Sequence, residues 1–396
     1  DPPSRLPVGE GWFRRPPASS ISTPPNKNTP VRITALPGNE DSRAVLPINS
    51  ATTRTDSAPQ IGRCYVASMA TTQRTHDELV AELTGGLAPE QSSLPVFAGN
   101  DLLRPDGRPR PDFRAELRRT PNLRNALACI FTLAQPFLFV WAAVTINHWA
   151  FWPVAFLAMG TFFARDNTLF HEAAHRQLFS NRRINDLVGE RIFGWLPYGD
   201  GSNAYRLAHT QHHRDEFGPK EPDFGLYARY PIPKDSMRRK LTRDAIGVSG
   251  YKNLRPILIG MFRSGYRKRA AITITGQVLI FALFWVLGQP WMYLVLWFAP
   301  WMTYWRVVNR LRSLAEHAGM TRSDDRRRTT HHIRQSIVPQ TLFTPYNIGF
   351  HLAHHVDSGV SMHNLAKYHE ALEEAGYWPS ELTHPTYRSF WKTLVR

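Results

Sequence analysis

From Asn125 to Ala164 the chain carries no charged residue, and a second uncharged run extends from Ala270 to Trp305. Each run is long enough for two crossings of roughly 20 residues, the length that a bilayer core of about 30 Å requires. Asn147 and His148 fall near the middle of the first run, and Gly288-Gln289-Pro290 divides the second, as tight reversals demand. The pattern predicts an all-α integral membrane protein with four transmembrane helices in two hairpins, spanning about 125–146, 149–170, 270–288 and 291–312. Two core hairpins of a soluble protein are the alternative, but they leave paired uncharged runs of this length unexplained.

The flanking charges orient these spans. Arg114, Arg118, Arg119 and Arg124 precede the first, and Arg165, Arg176, Arg182 and Arg183 follow the second. Arg267, Lys268 and Arg269 precede the third, while Arg306, Arg310 and Arg312 follow the fourth. Both turns are uncharged, so the positive-inside rule sends both hairpins in from the cytosolic side and back to it. The N- and C-termini, and a helical cap built from the remaining segments, are expected on that side.

Residues 1–68 are rich in Pro, Ser, Thr and Asn, without a sustained apolar period. They cannot bury enough surface to offset chain entropy, so the sequence predicts a disordered extension. It contains no apolar stretch of the secretory-signal type. Met69 opens a more ordinary cytosolic segment, 69–124, and reads as the natural start, with the extension not native. The membrane domain is expected over 125–396.

Composition changes the picture in two respects. The formal charge of +16 would suit nucleic acid, an anionic membrane surface or an acidic protein. Most of the excess flanks the uncharged runs, and no base-stacking motif accompanies it, which argues against nucleic acid. The two cysteines, Cys64 and Cys129, form no CxxC, so neither a disulfide framework nor a Cys-ligated metal is indicated.

Histidine carries the chemistry. Nearly all of the sixteen histidines lie beyond Asn147, most in short spaced groups. The first is His171-Glu172-Ala173-Ala174-His175, continuing the second span, with imidazoles at i and i+4 on one helical face. The second box supplies His209, His212 and His213, and the third His351, His354 and His355. Each repeats i, i+3, i+4, which brings three imidazoles to adjacent metal ions. HExxH by itself suits a zinc protease, but that reading accounts for two of these histidines only. Eight ligands exceed one tetrahedral zinc and suit two ions that accept imidazole, iron first, with copper or zinc behind.

Three boxes in this order around two hairpins resemble the membrane fatty-acid desaturase and hydroxylase superfamily, over roughly Phe113 to Leu382. Pro222-Asp223 after the second box, and Asn364-Leu365 with His369 after the third, extend the likeness. Where relatives often carry prolines after the third box, this chain has Asp357-Ser358-Gly359-Val360-Ser361. The resemblance implies two iron ions, O2 as co-substrate, two electrons from outside, and removal of two hydrogens from a lipid or fatty-acyl chain. Hydroxylation or ketolation of a lipid, carotenoid-like substrates included, is the alternative, because the boxes do not separate oxygen insertion from a second hydrogen abstraction. His317, in Glu316-His317-Ala318-Gly319 just past the fourth span, resembles the family's further ligand. Asn309 is a weaker candidate, and Arg165, Asp166 and Glu172 are possible partners of the ligands.

His76, His148, His331, His332, His363, His369 and His384 are left out of the metal site, with His331-His332 read as part of a basic loop. No catalytic group beyond the ligands is expected. No dinucleotide fingerprint, Cys cluster or haem-domain signature occurs, so electrons are expected from a ferredoxin- or cytochrome-type protein. A histidine-rich transporter would want ionisable residues inside the spans, which the uncharged runs lack.

Overall fold

A computed structural model describes residues 75–287 and 289–396. The expected extension at 1–68 and the turn residue Gly288 lie outside the described residues. The described residues are mostly helical, and the one sheet among them is a parallel pair, β1 (His332–Ile333) and β2 (Thr383–His384).

Helix α1 (Asn122–Ile146) and helix α2 (Phe151–Ala174) occupy the first uncharged run. They turn at Asn147, which takes the left-handed conformation with φ of 43°. Asn tolerates that region better than most residues. Two stretches among the described residues, Pro111–Ile146 and Arg267–Val286, are long and apolar enough to cross a membrane. Large apolar side chains on both face outward: Leu127, Ile130, Phe131 and Trp141 on the first, Val278, Leu279 and Trp285 on the second. A soluble protein rarely leaves contiguous apolar surface of this kind uncovered.

The last expected span, 291–312, is not one regular helix. Tyr293–Phe298 is π-helical, Ala299–Met302 is a short α-turn, and the backbone breaks at Thr303, where φ is −121° and ψ is −82°. Pro300 lacks an N–H and cannot donate to Leu296 four residues back, which loosens the ladder where the π-helical segment ends. Gly250 packs against the break; a Cβ there would stand 2.3 Å from the Met302 carbonyl oxygen.

Between the two runs lie α3 (Ala204–Arg214), α4 (Lys234–Ala245) and α5 (Val248–Gly260). Helix α6 (Arg267–Val286) starts the second run, and α7 (Tyr304–His317) leaves it. After them come α8 (His351–Val356) and α9 (Leu365–Glu374). One apolar cluster joins Phe162, Phe163, Trp297, Trp301 and Trp305 within the helical hairpins. A second packs Leu169 and Ala173 of α2 against Leu352, Ala353 and Val356 of α8. A third seats Leu314 and Ala315 of α7 against Ile333 and Phe390. The last two clusters position α2, α7 and α8 where their histidine faces meet.

His331 and His332 do not sit in a solvated loop. Each is about 5% exposed. The backbone of His331 donates to Glu316, its Nε2 lies 2.7 Å from the Ala318 carbonyl, and His332 belongs to β1. The run of arginines before them suggested exposure, but pairing with the distant Thr383–His384 strand buries them instead.

Candidate metal centre

Every box lies on a helix. His171 is in the last turn of α2 with His175 as its cap, α3 carries the second box, and α8 is made almost wholly of the third. His317 ends α7, and Gly319, with φ of 72°, lets the chain turn away behind it.

These elements bring the expected histidines together. His171, His175, His209, His213 and His354 form one group, with one ligating atom of each within 4.8 Å of the others. His212, His317 and His355 form a second. His351 joins it, with Nε2 3.2 Å from Nε2 of His317. His213 also lies with Glu216 and His355, so the two groups adjoin.

Within the first group Nε2 of His175 is 2.8 Å from Nε2 of His209, and Nε2 of His213 is 3.1 Å from those of His209 and His354. Neutral imidazoles that face each other through the same nitrogens cannot all be satisfied by hydrogen bonds. Both ring nitrogens of His171, Nδ1 of His351 and Nε2 of His355 are buried without a hydrogen-bond partner. An all-imidazole donor set with orphaned, converging nitrogens fits ions of the iron, copper or zinc type.

The outer nitrogens are held from behind. Nδ1 of His212 lies 3.0 Å from both oxygens of Glu221, Nδ1 of His355 lies 2.5 Å from Glu216, and Nδ1 of His317 lies 2.7 Å from the Thr329 carbonyl. An acceptor on Nδ1 fixes the proton there and turns the lone pair of Nε2 inward. Arg326 pairs with Glu216 at 2.8 Å and keeps that carboxylate in place. Glu216 and Glu221 were not foreseen, although both follow the second box within a few residues and such acids are common partners of ligating histidines.

Burial holds His171, His209, His213, His317, His351, His354 and His355 well below the ordinary imidazole range. It drives His175 down to about 3. Neutral rings of this kind offer lone pairs at neutral pH. Burial also opposes charge on His212, but the Glu221 carboxylate outweighs it and pushes this histidine up to about 9.

Arg165 donates to Gln135 and Thr161, and Glu172 accepts from the Met362 amide at 2.9 Å. Neither they nor the buried Asp166 hydrogen-bonds a box histidine among the described residues. Glu172 instead ties the segment after the third box to the first box. In the Asp357–Ser361 stretch, Asp357 is held by Arg114 at 2.6 Å and Arg118 at 2.8 Å, which anchors the N-terminal segment beside α8. Asn309 lines a cavity with His171, His209, His212 and His351.

Glu221→Gln and Glu216→Gln should each weaken metal retention by about 10- to 100-fold, because the amide oxygen left behind accepts from the histidine more weakly than the carboxylate does. Competition against a graded chelator series measures this; unchanged metal retention in both variants would make the carboxylates merely structural.

A model of the fatty acid desaturase family matches residues 147–387. The chain is 26% identical to a dihydrorhizobitoxine desaturase of Bradyrhizobium elkanii over 262 residues, 60% of this chain and 72% of that protein. It is 30% identical to a chloroplastic omega-3 fatty acid desaturase of Brassica napus over 91 residues, 22% of this chain and 20% of that one. To a chloroplastic omega-6 fatty acid desaturase of Arabidopsis thaliana it is 22% identical over 257 residues, 58% of this chain and 54% of the relative.

Proposed function

Because the chain belongs to the fatty acid desaturase family and is an oxidoreductase of that type, we propose that it introduces a double bond into a lipid acyl chain, using O2 and two electrons from another protein. Two iron ions would be held by His171, His175, His209, His212, His213, His317, His351, His354 and His355. The observation that carries this reading is the meeting of these histidines, from four separate chain segments, in two adjoining groups. When bound, the irons supply the O2 activation that breaks an unactivated C–H bond, chemistry outside the reach of any side chain here.

The protein's own part is orientation and exclusion. Glu216, Glu221 and the Thr329 carbonyl hold the protons of His355, His212 and His317 on Nδ1. The apolar clusters around α8 keep bulk water from the ligands. Four membrane crossings with both hairpin turns on one side would leave the ends of α2 and α7, and so the histidines, on the cytosolic side. The exposed Arg118, Arg119, Arg124, Arg182 and Arg183 support that orientation.

Lipids from cells with and without the gene test the reaction. Loss of two hydrogens from a lipid is expected; gain of one oxygen would replace desaturation by hydroxylation. The metal is tested on active enzyme prepared without air, where iron near two equivalents is expected and stoichiometric zinc would sink the iron assignment.

A donor of the ferredoxin or cytochrome type, acidic on its docking face, would be steered by the basic cytosolic surface. Turnover should therefore fall as salt rises, since screening shortens the reach of that attraction to about 8 Å at physiological ionic strength. Full activity with NAD(P)H and no donor protein would contradict this.

A further inference from the structure

A cavity of about 230 Å³ opens onto His171, His209, His212 and His351. A channel for a bare alkyl chain would be walled by aliphatic and aromatic side chains, as apolar ligands require. This one is not. Leu226 is the only aliphatic side chain among its lining residues, and Tyr205 and Tyr227 are its only aromatics besides the histidines. Asparagines, serines, arginines and carboxylates make up the rest.

Charge pairing within the lining is uneven. Arg310 forms a buried ion pair with Asp244, and Arg312 pairs with Glu316 at 3.1 Å. Arg306 and Asp223 remain. Among the described residues no carboxylate lies within salt-bridge reach of Arg306, which stacks 4.0 Å over the Trp301 ring and donates Nε to the Trp301 carbonyl at 2.9 Å. Asp223 stands beside His212 and Glu221. Glu221 directs both oxygens at His212 Nδ1, so Asp223 is the acid left to face the cavity. Asp244 acts on Arg306, and His212 and Arg312 act on Asp223, without closing a salt bridge, so each of the two charges keeps room for a direct partner.

One cation and one anion, neither held in a salt bridge, line the same polar cavity and are complementary to a ligand that carries both signs. We propose that the cavity binds a zwitterionic group of the substrate, its ammonium at Asp223 and its acidic oxygens at Arg306. The carbons offered to the histidine centre then belong either to a small amino-acid-like molecule or to the chain of a lipid with a zwitterionic head group. The inference rests on the histidine cluster being the redox centre, and names the class of substrate that this centre takes.

Binding to the purified full-length protein in detergent, without air and without turnover, tests it. The probes are 2-aminooctanoate, octanoate, octylamine and dihexanoyl phosphatidylcholine, followed by calorimetry. A zwitterionic probe should bind about tenfold more tightly than octanoate or octylamine, the expected worth of one charged hydrogen-bonding partner. Preference for 2-aminooctanoate identifies a free small molecule, and preference for the phosphatidylcholine a head group. Arg306→Gln should weaken octanoate and spare octylamine, and Asp223→Asn should do the reverse, while Arg306→Lys retains most of the preference.

Equal affinity for all four probes in the unaltered protein, or tightest binding of octanoate, overturns the proposal even if a variant fails to fold. If such a protein still holds two irons and removes two hydrogens from an acyl lipid, the redox reading stands and the zwitterion site falls. Zwitterion preference in a protein that never retains iron would support the site and overturn the redox reading.

Discussion

His317→Ala should abolish turnover and release about one of two bound irons while the protein still inserts into the membrane and folds. The side chain is completely buried. Its ring lies 4.9 Å from that of His212, 5.1 Å from His351 and 4.6 Å from His355, centre to centre. Loss of a residue behind a ligand already costs about 10- to 100-fold in metal affinity, so loss of the ligand itself should exceed that range. The truncation also has a structural penalty of about 1–3 kcal/mol, since the Thr329 carbonyl loses its partner and a cavity opens beside Tyr227. Metal analysis beside size-exclusion chromatography separates the two effects. His148, exposed at the turn between α1 and α2, is the proper control. His331 and His332 are not, since their burial makes alanine destabilising in itself. Near-normal iron and activity in His317→Ala, with both lost in His354→Ala, would remove His317 from the site.

Asp244→Ala should cost about 3–5 kcal/mol of stability. Asp244 is 1% exposed on α4, and its carboxylate receives two hydrogen bonds from Arg310 on α7. Removing it leaves a guanidinium buried without its carboxylate. The pair also clamps α4 to the helix that ends in His317, so loosening it should reach the metal centre. Denaturant unfolding in detergent measures the effect. A combined Asp244→Leu, Arg310→Met protein should recover much of the loss, because apolar groups of similar size need no counter-charge. A midpoint in Asp244→Ala indistinguishable from that of the parent would show that water already reaches the pair.

Iron content and the lipid product reach the same centre from the chemical side. The eight box histidines were legible because their signal is local: spacings of three and four residues place imidazoles on one helical face whatever the rest of the chain does. His317 was legible through its place just past an uncharged run. The runs themselves follow from the cost of charge in hydrocarbon, which acts on each residue separately.

Other features depend on partners far away in the chain. Nothing around Arg326-Arg327-Arg328 announces that His331 and His332 will be buried, because the cause is a strand some fifty residues later at Thr383–His384. The break at Thr303 lies against Gly250 of another helix, whose lack of a side chain lets the two backbones approach. Glu216 and Glu221 resemble any surface acids until α3, α7 and α8 converge and enclose them. Arg306 reads from the sequence as a membrane-flanking cation, yet its setting in a polar cavity, outside salt-bridge reach of a carboxylate, emerges only once α4, α5 and α7 pack together. Periodicity and solvation are properties of residues and their near neighbours, so the sequence by itself marked the apolar runs and the histidine groups. Which charges find partners is a property of distances between helices, and packing alone decided it.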